Sequence, residues 1–320
     1  MAVNFLGVFG HVILDYIANL ESLPAPNTSV QILDRQRYFG GTGGNIARIS
    51  ARLGVRTALA SFVGEDFPPE YREALATDGV DIADLCVVQG VSTPTAWIFT
   101  DRRGNQIAIV DQGPMKFARK YEVLAHTVET SEIVHLGTGR PEYYVRIAAV
   151  ASKLGKRIAF DPSQEIHYVY TPVTFRRLLS RAQMFFGNEV EMKRALSFVR
   201  RRKPVDLLEW VDVVVMTRGA KGSTILSNEG RFDVPVIRSR KVVDVTGAGD
   251  AYRAGFYAGL SRGFDLFRCG LIGSAVAGFV IERRGTQTNI PTWSQAVAPR
   301  HSKEKNGTET HRAMMAKKAL

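Results

Sequence analysis

Fully apolar runs alternate with helix-spaced runs over most of the chain. Phe5, Leu6, Val8 and Phe9 form the first buried-strand pattern, which stops at Gly10. The pattern recurs at 57–63, 133–136, 157–160, 184–186 and 211–216. Between these runs, Ile46, Ile49 and Leu53 mark an amphipathic helix, and helical spacing returns over 71–76, 118–130, 141–154, 173–181, 251–261 and 265–283. Strands alternating with helices predict an α/β fold, with a mainly parallel central sheet and helices on both faces. His135, inside an apolar strand, reads as a core histidine.

A second pattern interrupts the first. Residues 30–39 alternate partially, as do 95–100 and 106–110, and Asp101-Arg102-Arg103-Gly104-Asn105 between the last two is a turn by composition. These half-polar strands predict a small separate sheet, inserted into the main domain at about 28–39 and 94–111. Residues 10–20 read as extended or helix-like, and 24–27 as a linker. Val242, Val243 and Val245 predict one more strand. The domain is expected to span 1–298. Residues 299–320 are basic, lack apolar periodicity and are expected to fray.

The composition is that of an ordinary globular protein, 45% hydrophobic and 23% charged. No apolar stretch is long enough for a bilayer, and the start lacks a basic, cleavable leader. Cys86 and Cys269 fit neither a metal spacing nor a disulfide framework, which points to a reducing, cytoplasmic setting. The net charge of +11 is spread along the chain, densest at Arg200-Arg201-Arg202-Lys203 and in the last twenty residues. A spread positive surface suits anionic substrates, and no nucleic-acid or membrane partner is read from it.

The candidate chemistry centres on Gly247-Ala248-Gly249-Asp250. A turn of small residues opening a helix presents free N–H groups and the positive end of the helix dipole, a place for phosphate. Asp250 sets a carboxylate beside that place. Gly40-Gly41-Thr42-Gly43-Gly44-Asn45 leads straight into a helix and allows close backbone approach to a ligand. Asp15, a few residues past the first strand, is either an acceptor for two polyol hydroxyls or a turn cap. Gly187-Asn188-Glu189-Val190-Glu191 is either a Mg²⁺ site working through water or an ordinary helix N-terminus. Thr217-Arg218-Gly219-Ala220-Lys221-Gly222-Ser223 is a glycine hairpin. A Walker A loop and a Gly-x-Gly-x-x-Gly fingerprint are both absent.

These motifs, in this order, resemble the ribokinase family, the PfkB carbohydrate kinases, over roughly residues 3–295. The resemblance implies an α/β/α sandwich with a small β-sheet lid, and ATP-dependent phosphorylation of a hydroxymethyl group. It implies Asp250 as general base, with Gly247, Ala248 and Gly249 as the anion hole. Asp15, Gly40, Gly41, Asn45, Gly139 and Asp161 are the implied acceptor contacts. Asn188, Thr217, Arg218, Gly219, Gly222, Gly249 and Asn289 are the implied nucleotide contacts. Asn188 and Glu191 would hold Mg²⁺ through water. Asp244 and Thr246, with carbonyls of Val280, Arg283 and Gly285, would hold K⁺. The helix field is expected to keep Asp250 ionised.

Gly10-His11-Val12-Ile13-Leu14-Asp15 and Asp161-Pro162-Ser163-Gln164 look more like the archaeal broad-specificity nucleoside kinases, which implies a nucleoside acceptor. Two alternatives stand beside it. One is a sugar or sugar phosphate, with Arg35, Arg37, Arg102, Arg103 and Arg140 available as a clamp. The other is a non-catalytic sensor on the same fold. Tyr38, Phe39, Trp97 and Phe99 are either base-stacking residues or lid core. The family often pairs its lid sheets in a homodimer.

Overall fold

Two sheets divide the strands according to how much of each is apolar. A computed structural model describes residues 4–298. In chain order, the strands and helices begin with β1 Asn4–Phe9, β2 Ile13–Leu20, β3 Ile32–Gly40, α1 Thr42–Arg52, β4 Thr57–Gly64, α2 Pro69–Thr77, β5 Val80–Asp81 and β6 Leu85–Val88. Next come β7 Thr95–Thr100, β8 Gln106–Asp111, α3 Ala125–Thr130, β9 Ser131–Leu136, α4 Pro141–Lys153, β10 Arg157–Phe160, α5 Pro172–Leu179, β11 Met184–Asn188 and α6 Glu189–Val199. The last are β12 Val213–Thr217, β13 Ser223–Ser227, β14 Gly230–Val234, α7 Ala248–Leu260, α8 Leu266–Val280 and α9 Trp293–Val297.

The main sheet runs β14-β13-β12-β11-β10-β9-β1-β4-β5, with β6 also on β4. It is parallel from β12 to β5, and the hairpins to β13 and β14 are antiparallel. Its strands alternate between two cores, as a period of two demands. Leu6, Val8, Ile133, Met184 and Phe186 pack with α1, α2, α7 and α8. Phe9, Val134, Ile158, Phe160 and Phe185 pack with α3 to α6. Each large side chain buried in this way contributes about 1.5–3 kcal/mol. The α/β/α layers thus follow the apolar pattern closely.

The small sheet runs β3-β2-β7-β8. It takes in β2, which the partial alternation of 30–39 and 94–111 does not announce. β2 lies between the two insertions, antiparallel to β3 and parallel to β7. Its apolar sequence matches its place as an inner strand, covered on both edges.

Two local expectations fail. Val242, Val243 and Val245 form no strand. Their side chains are 50–68% exposed, and the backbone N–H groups of Val243 and Asp244 donate to the Ile281 carbonyl and join no ladder. Residues 118–130 are not one helix. A 3₁₀ segment, Gly113–Lys120, stops before α3, and the Tyr143 hydroxyl engages the connection at Leu124 N–H and Glu122 O. The stretch 299–320 lies outside the described residues.

Candidate active site

The C-terminal edge of the main sheet, the N-terminus of α7 and the inner face of the small sheet enclose a cleft of about 1190 Å³. Ligands of open α/β sheets bind at this edge. Gly247 caps α7 with φ +74°, and no side chain caps the helix there. A Cβ at Gly247 would stand 2.6 Å from Thr286 Cγ2, so the position excludes other residues on both space and backbone grounds. The Ala248 N–H closes a turn onto the Val245 carbonyl at 3.2 Å. The helix end, carrying its partial positive charge, faces the cleft through Gly247, Ala248 and Gly249.

Asp250 sits in the first turn of α7, 8% exposed. Asn45 Nδ2 donates to its Oδ2 at 2.8 Å. Asn45 is itself locked, because its Oδ1 accepts from Thr286 Oγ1 at 2.7 Å and Gln287 Nε2 at 2.9 Å. Gln287 also donates to the Tyr71 hydroxyl, which donates to the Gly40 carbonyl. Helix α1 therefore carries a residue that aims Asp250. Burial pushes the Asp250 carboxyl up to about 7, with Arg253 and the Asn45 bond opposing the rise. The helix field expected to keep Asp250 ionised therefore works against burial, the largest influence on this carboxyl.

Asp15 lies in β2, on the small sheet, and faces the same cleft at 8% exposure. Burial, then the charges of Asp250 and Asp244, push it up to about 7. A Cβ at Gly40 would meet its Oδ2 at 1.9 Å, so glycine is what lets β3 pass this carboxylate. Gly41, at φ +87°, lines the cleft beside it. Among the described residues no donor reaches the Asp15 carboxylate, which leaves both oxygens for a ligand.

At the other end, Asn188 Oδ1 caps α6 by accepting from Val190 and Glu191 N–H, and Glu191 Oε2 accepts from Asn188 N–H at 2.7 Å. The pair is thus a capping box that also lines the cleft. Thr217, which ends β12, sits in register with Asn188, and Gly219 and Gly222 follow it into the lining. Arg218 points elsewhere and pairs with Asp233 at 3.5 Å. Asp244 ties two loops together, accepting from Thr246 N–H at 2.9 Å and Gly285 N–H at 3.1 Å.

Three of the sequence candidates are committed to the protein itself. Asp161 is 2% exposed and ion-paired to Arg253, whose Nη2 donates at 2.7 Å. Gly139 donates its N–H to Glu165. Asn289 donates to the Phe279 carbonyl. None of the three lines the cleft.

Sequence reading also missed several lining residues. Arg253 is one turn beyond Asp250 on α7, and its Nη1 lies 2.7 Å from where a Gly249 Cβ would be. The spacing of three along one helix was its available signal. His11, Thr138, Ser163, Gln164, Glu165 and Tyr168 close the acceptor end. They come from the ends of three strands, β1, β9 and β10, which lie far apart in the chain and share no spacing. Burial pushes the Glu165 carboxyl up to about 7 and holds the His11 imidazole neutral, down near 4.

The lid aromatics do not face the cleft. Trp97 stacks on Tyr16 at 4.4 Å and lies alongside Phe99, on the side of the small sheet opposite Ala96 and Ile98, which do line it. Phe39 stacks on Tyr71, and Tyr38 packs against Gly285.

The model of the pfkB family carbohydrate kinases matches residues 4–293. A nucleoside kinase of Methanocaldococcus jannaschii is 40% identical over 90% of this chain and 94% of its own length. A crystal structure of that archaeal ribokinase-family enzyme superposes with a TM-score of 0.86, at 38% identity over 92% of this chain and 97% of that one. A Methanothermobacter thermautotrophicus nucleoside kinase is 41% identical over 90% of this chain and 93% of its length. A Burkholderia thailandensis nucleoside kinase solved in complex with inosine has a TM-score of 0.82, at 25% identity over 91% and 94% of the two chains.

Proposed function

The chain belongs to the pfkB family of carbohydrate kinases and is a phosphotransferase, and we propose that its acceptor is a nucleoside, phosphorylated on the 5′-hydroxymethyl group with ATP as donor. The observation that carries the acceptor class is the charge of the acceptor end. Asp15, Glu165 and Asp250 line it, the ceiling is the apolar Ala96, Ile98, Ala108 and Val110, and none of Arg35, Arg37, Arg102, Arg103 and Arg140 faces it. An acceptor that already carries phosphate meets three carboxyl groups in the lining, and Arg140, whose charge reaches His11 and Glu165, is not itself part of it. An uncharged sugar bearing a flat base suits such a pocket, in agreement with the names of the relatives.

In this reading Asp15 accepts hydrogen bonds from the ribose hydroxyls, and Gly41 lets the sugar come close to the backbone. Asp250, aimed by Asn45, takes the proton of the attacking hydroxyl. A carboxyl with its pKa near 7 is well matched to that task at neutral pH. The N-terminus of α7 stabilises the charge that builds on the transferring phosphoryl oxygens. Arg253, held by Asp161, adds a fixed positive charge beside Gly249. Thr217, Gly219 and Gly222 take the nucleotide side.

Glu191 keeps one carboxylate oxygen outside its capping bond, and one or two carboxylates are what a phosphate-bound Mg²⁺ needs. We therefore place Mg²⁺ at Asn188 and Glu191 through water, where it would neutralise phosphate charge. The loops joined by Asp244, with Thr246 and the carbonyls of Val280, Arg283 and Gly285, are our proposed K⁺ site. Both cysteines are free and Cys269 is buried, which suits a reducing cytoplasm; no described helix is long and apolar enough to cross a membrane. The outer face of the small sheet carries Tyr16, Trp97, Ile107 and Ile109, with Ile109 60% exposed, and we assign it to a homodimer contact.

The test is an ADP-release screen over nucleosides, pentoses, hexoses, inositols and sugar phosphates, with Mg²⁺ and with K⁺ exchanged for choline. Nucleosides are expected to give the highest kcat/KM. Turnover confined to free hexoses or to sugar phosphates overturns the acceptor assignment.

A further inference from the structure

At its acceptor end the cleft has a tyrosine whose hydroxyl is bonded to Gln112 and whose ring is stacked on no other described ring. Tyr168 follows the 3₁₀ segment Ser163–His167 beyond β10, lines the cleft, and is 63% exposed. An exposed tyrosine on a protein whose other large aromatics are mostly covered asks for a partner. The alternatives are used up. Trp97 and Phe99 lie on the outer face of the small sheet, Phe39 is stacked on Tyr71, and Tyr38 is packed on Gly285. Tyr252, the other tyrosine of the lining, is 5% exposed and bonded to Ser223 Oγ at 2.6 Å. It belongs to the nucleotide side, where α7 meets β13. Tyr168 is therefore the one exposed aromatic among the described lining residues.

Its neighbours suit a base. Ser163, Gln164 and Glu165 precede it in the same segment and line the same end. Ala108 and Val110 of β8 and Ala96 and Ile98 of β7 supply small and aliphatic surface from the small sheet. A planar, uncharged ring is the group whose faces an aromatic side chain and an aliphatic sheet can both cover. Stacking of this kind tolerates every base, because each has a π face.

We propose that Tyr168 is the platform for the acceptor's base, and so a specificity-determining residue that favours nucleosides over bare sugars. This rests on the nucleoside reading above, so the experiment separates the two. Binding of inosine and cytidine to wild type, Tyr168→Ala and Tyr168→Phe is measured by calorimetry, alongside turnover. Methyl β-D-ribofuranoside, which has the sugar and no base, serves as a competing ligand.

For Tyr168→Ala we expect nucleoside Kd and KM to rise about ten-fold, the loss of one base–aromatic stack. Its kcat should stay within about two-fold and its inhibition by the ribofuranoside should not change. Tyr168→Phe should behave as wild type, because the ring carries the contact. Unchanged nucleoside affinity in Tyr168→Ala overturns the proposal. So does an equal loss for nucleoside and ribofuranoside, or a loss in Tyr168→Phe as large as in Tyr168→Ala. Failure of the wild-type protein to bind any nucleoside overturns the acceptor reading itself, and the platform with it.

Discussion

Strands β4 and β8 show how differently the two sheets are built. All eight residues of β4 are buried, and all six of β8 are exposed. β4 is an inner strand of a sheet covered on both faces, so every position is apolar or small. β8 is the edge of a sheet with one face on the cleft and one outward, so it has no buried position at all. Asp250 and the α7 turn stand on the first kind of support. Asp15 stands between the two, on β2, which is buried at six of its eight positions although it belongs to the same sheet as β8. In the reading proposed above, the groups that act in transfer rest on the deep core, and the exposed strand β8 is the part of the cleft wall that opens at low cost.

The strongest test of the rigid side is Asp250→Asn. Turnover should fall by at least ~10² while nucleoside binding, measured calorimetrically, persists. Near-normal kcat would remove Asp250 from the mechanism. Arg253→Met should come next. It strands Asp161 as an unpaired carboxylate in a buried site, at about 3–5 kcal/mol of stability. Urea unfolding measures this, and a loss under 1 kcal/mol would mean that the pair is not a keystone of the floor.

Titration links the two sides, since Asp250 and Asp15 are both pushed up to about 7. Activity should rise with pH through about 7 as the base loses its proton. Stability should move the other way. A carboxyl whose native pKa exceeds its unfolded value holds its proton more tightly when folded, so stability falls as pH rises from about 4 to about 7 and levels off above. Asp250→Asn should flatten part of that slope, and an unchanged slope would show that Asp250 is not its source.

The smallest effect is expected on the thin sheet. Ile109→Glu should shift sedimentation from dimer to monomer and change protomer stability by no more than about 0.5 kcal/mol. A monomeric wild type would discard the dimer face.

Legibility follows the same divide. The βα alternation, the Gly-Ala-Gly-Asp turn and the glycine loop before α1 were readable because each is a local pattern with one physical cause. β2 was not, because its apolar residues look like any connector until β3 and β7 flank it. Val242 to Val245 misled, since β-branched residues propose a strand, whereas the N–H groups of Val243 and Asp244 go to the Ile281 carbonyl after α8. Asp161 pointed to the acceptor and turned out to anchor Arg253.

By itself the amino-acid order determined most of the elements of the main sheet and its helices, the small-residue turn before α7 and the identity of the carboxylate beside it, because turn geometry and side-chain periodicity act over a few residues. Tertiary structure alone decided what surrounds that carboxylate. Asn45 lies 205 residues from Asp250 in sequence yet donates to it at 2.8 Å, and burial by α1, α7 and the small sheet moves its pKa. Hydrogen-bond partners and desolvation are properties of position in space, and no local spacing encodes them.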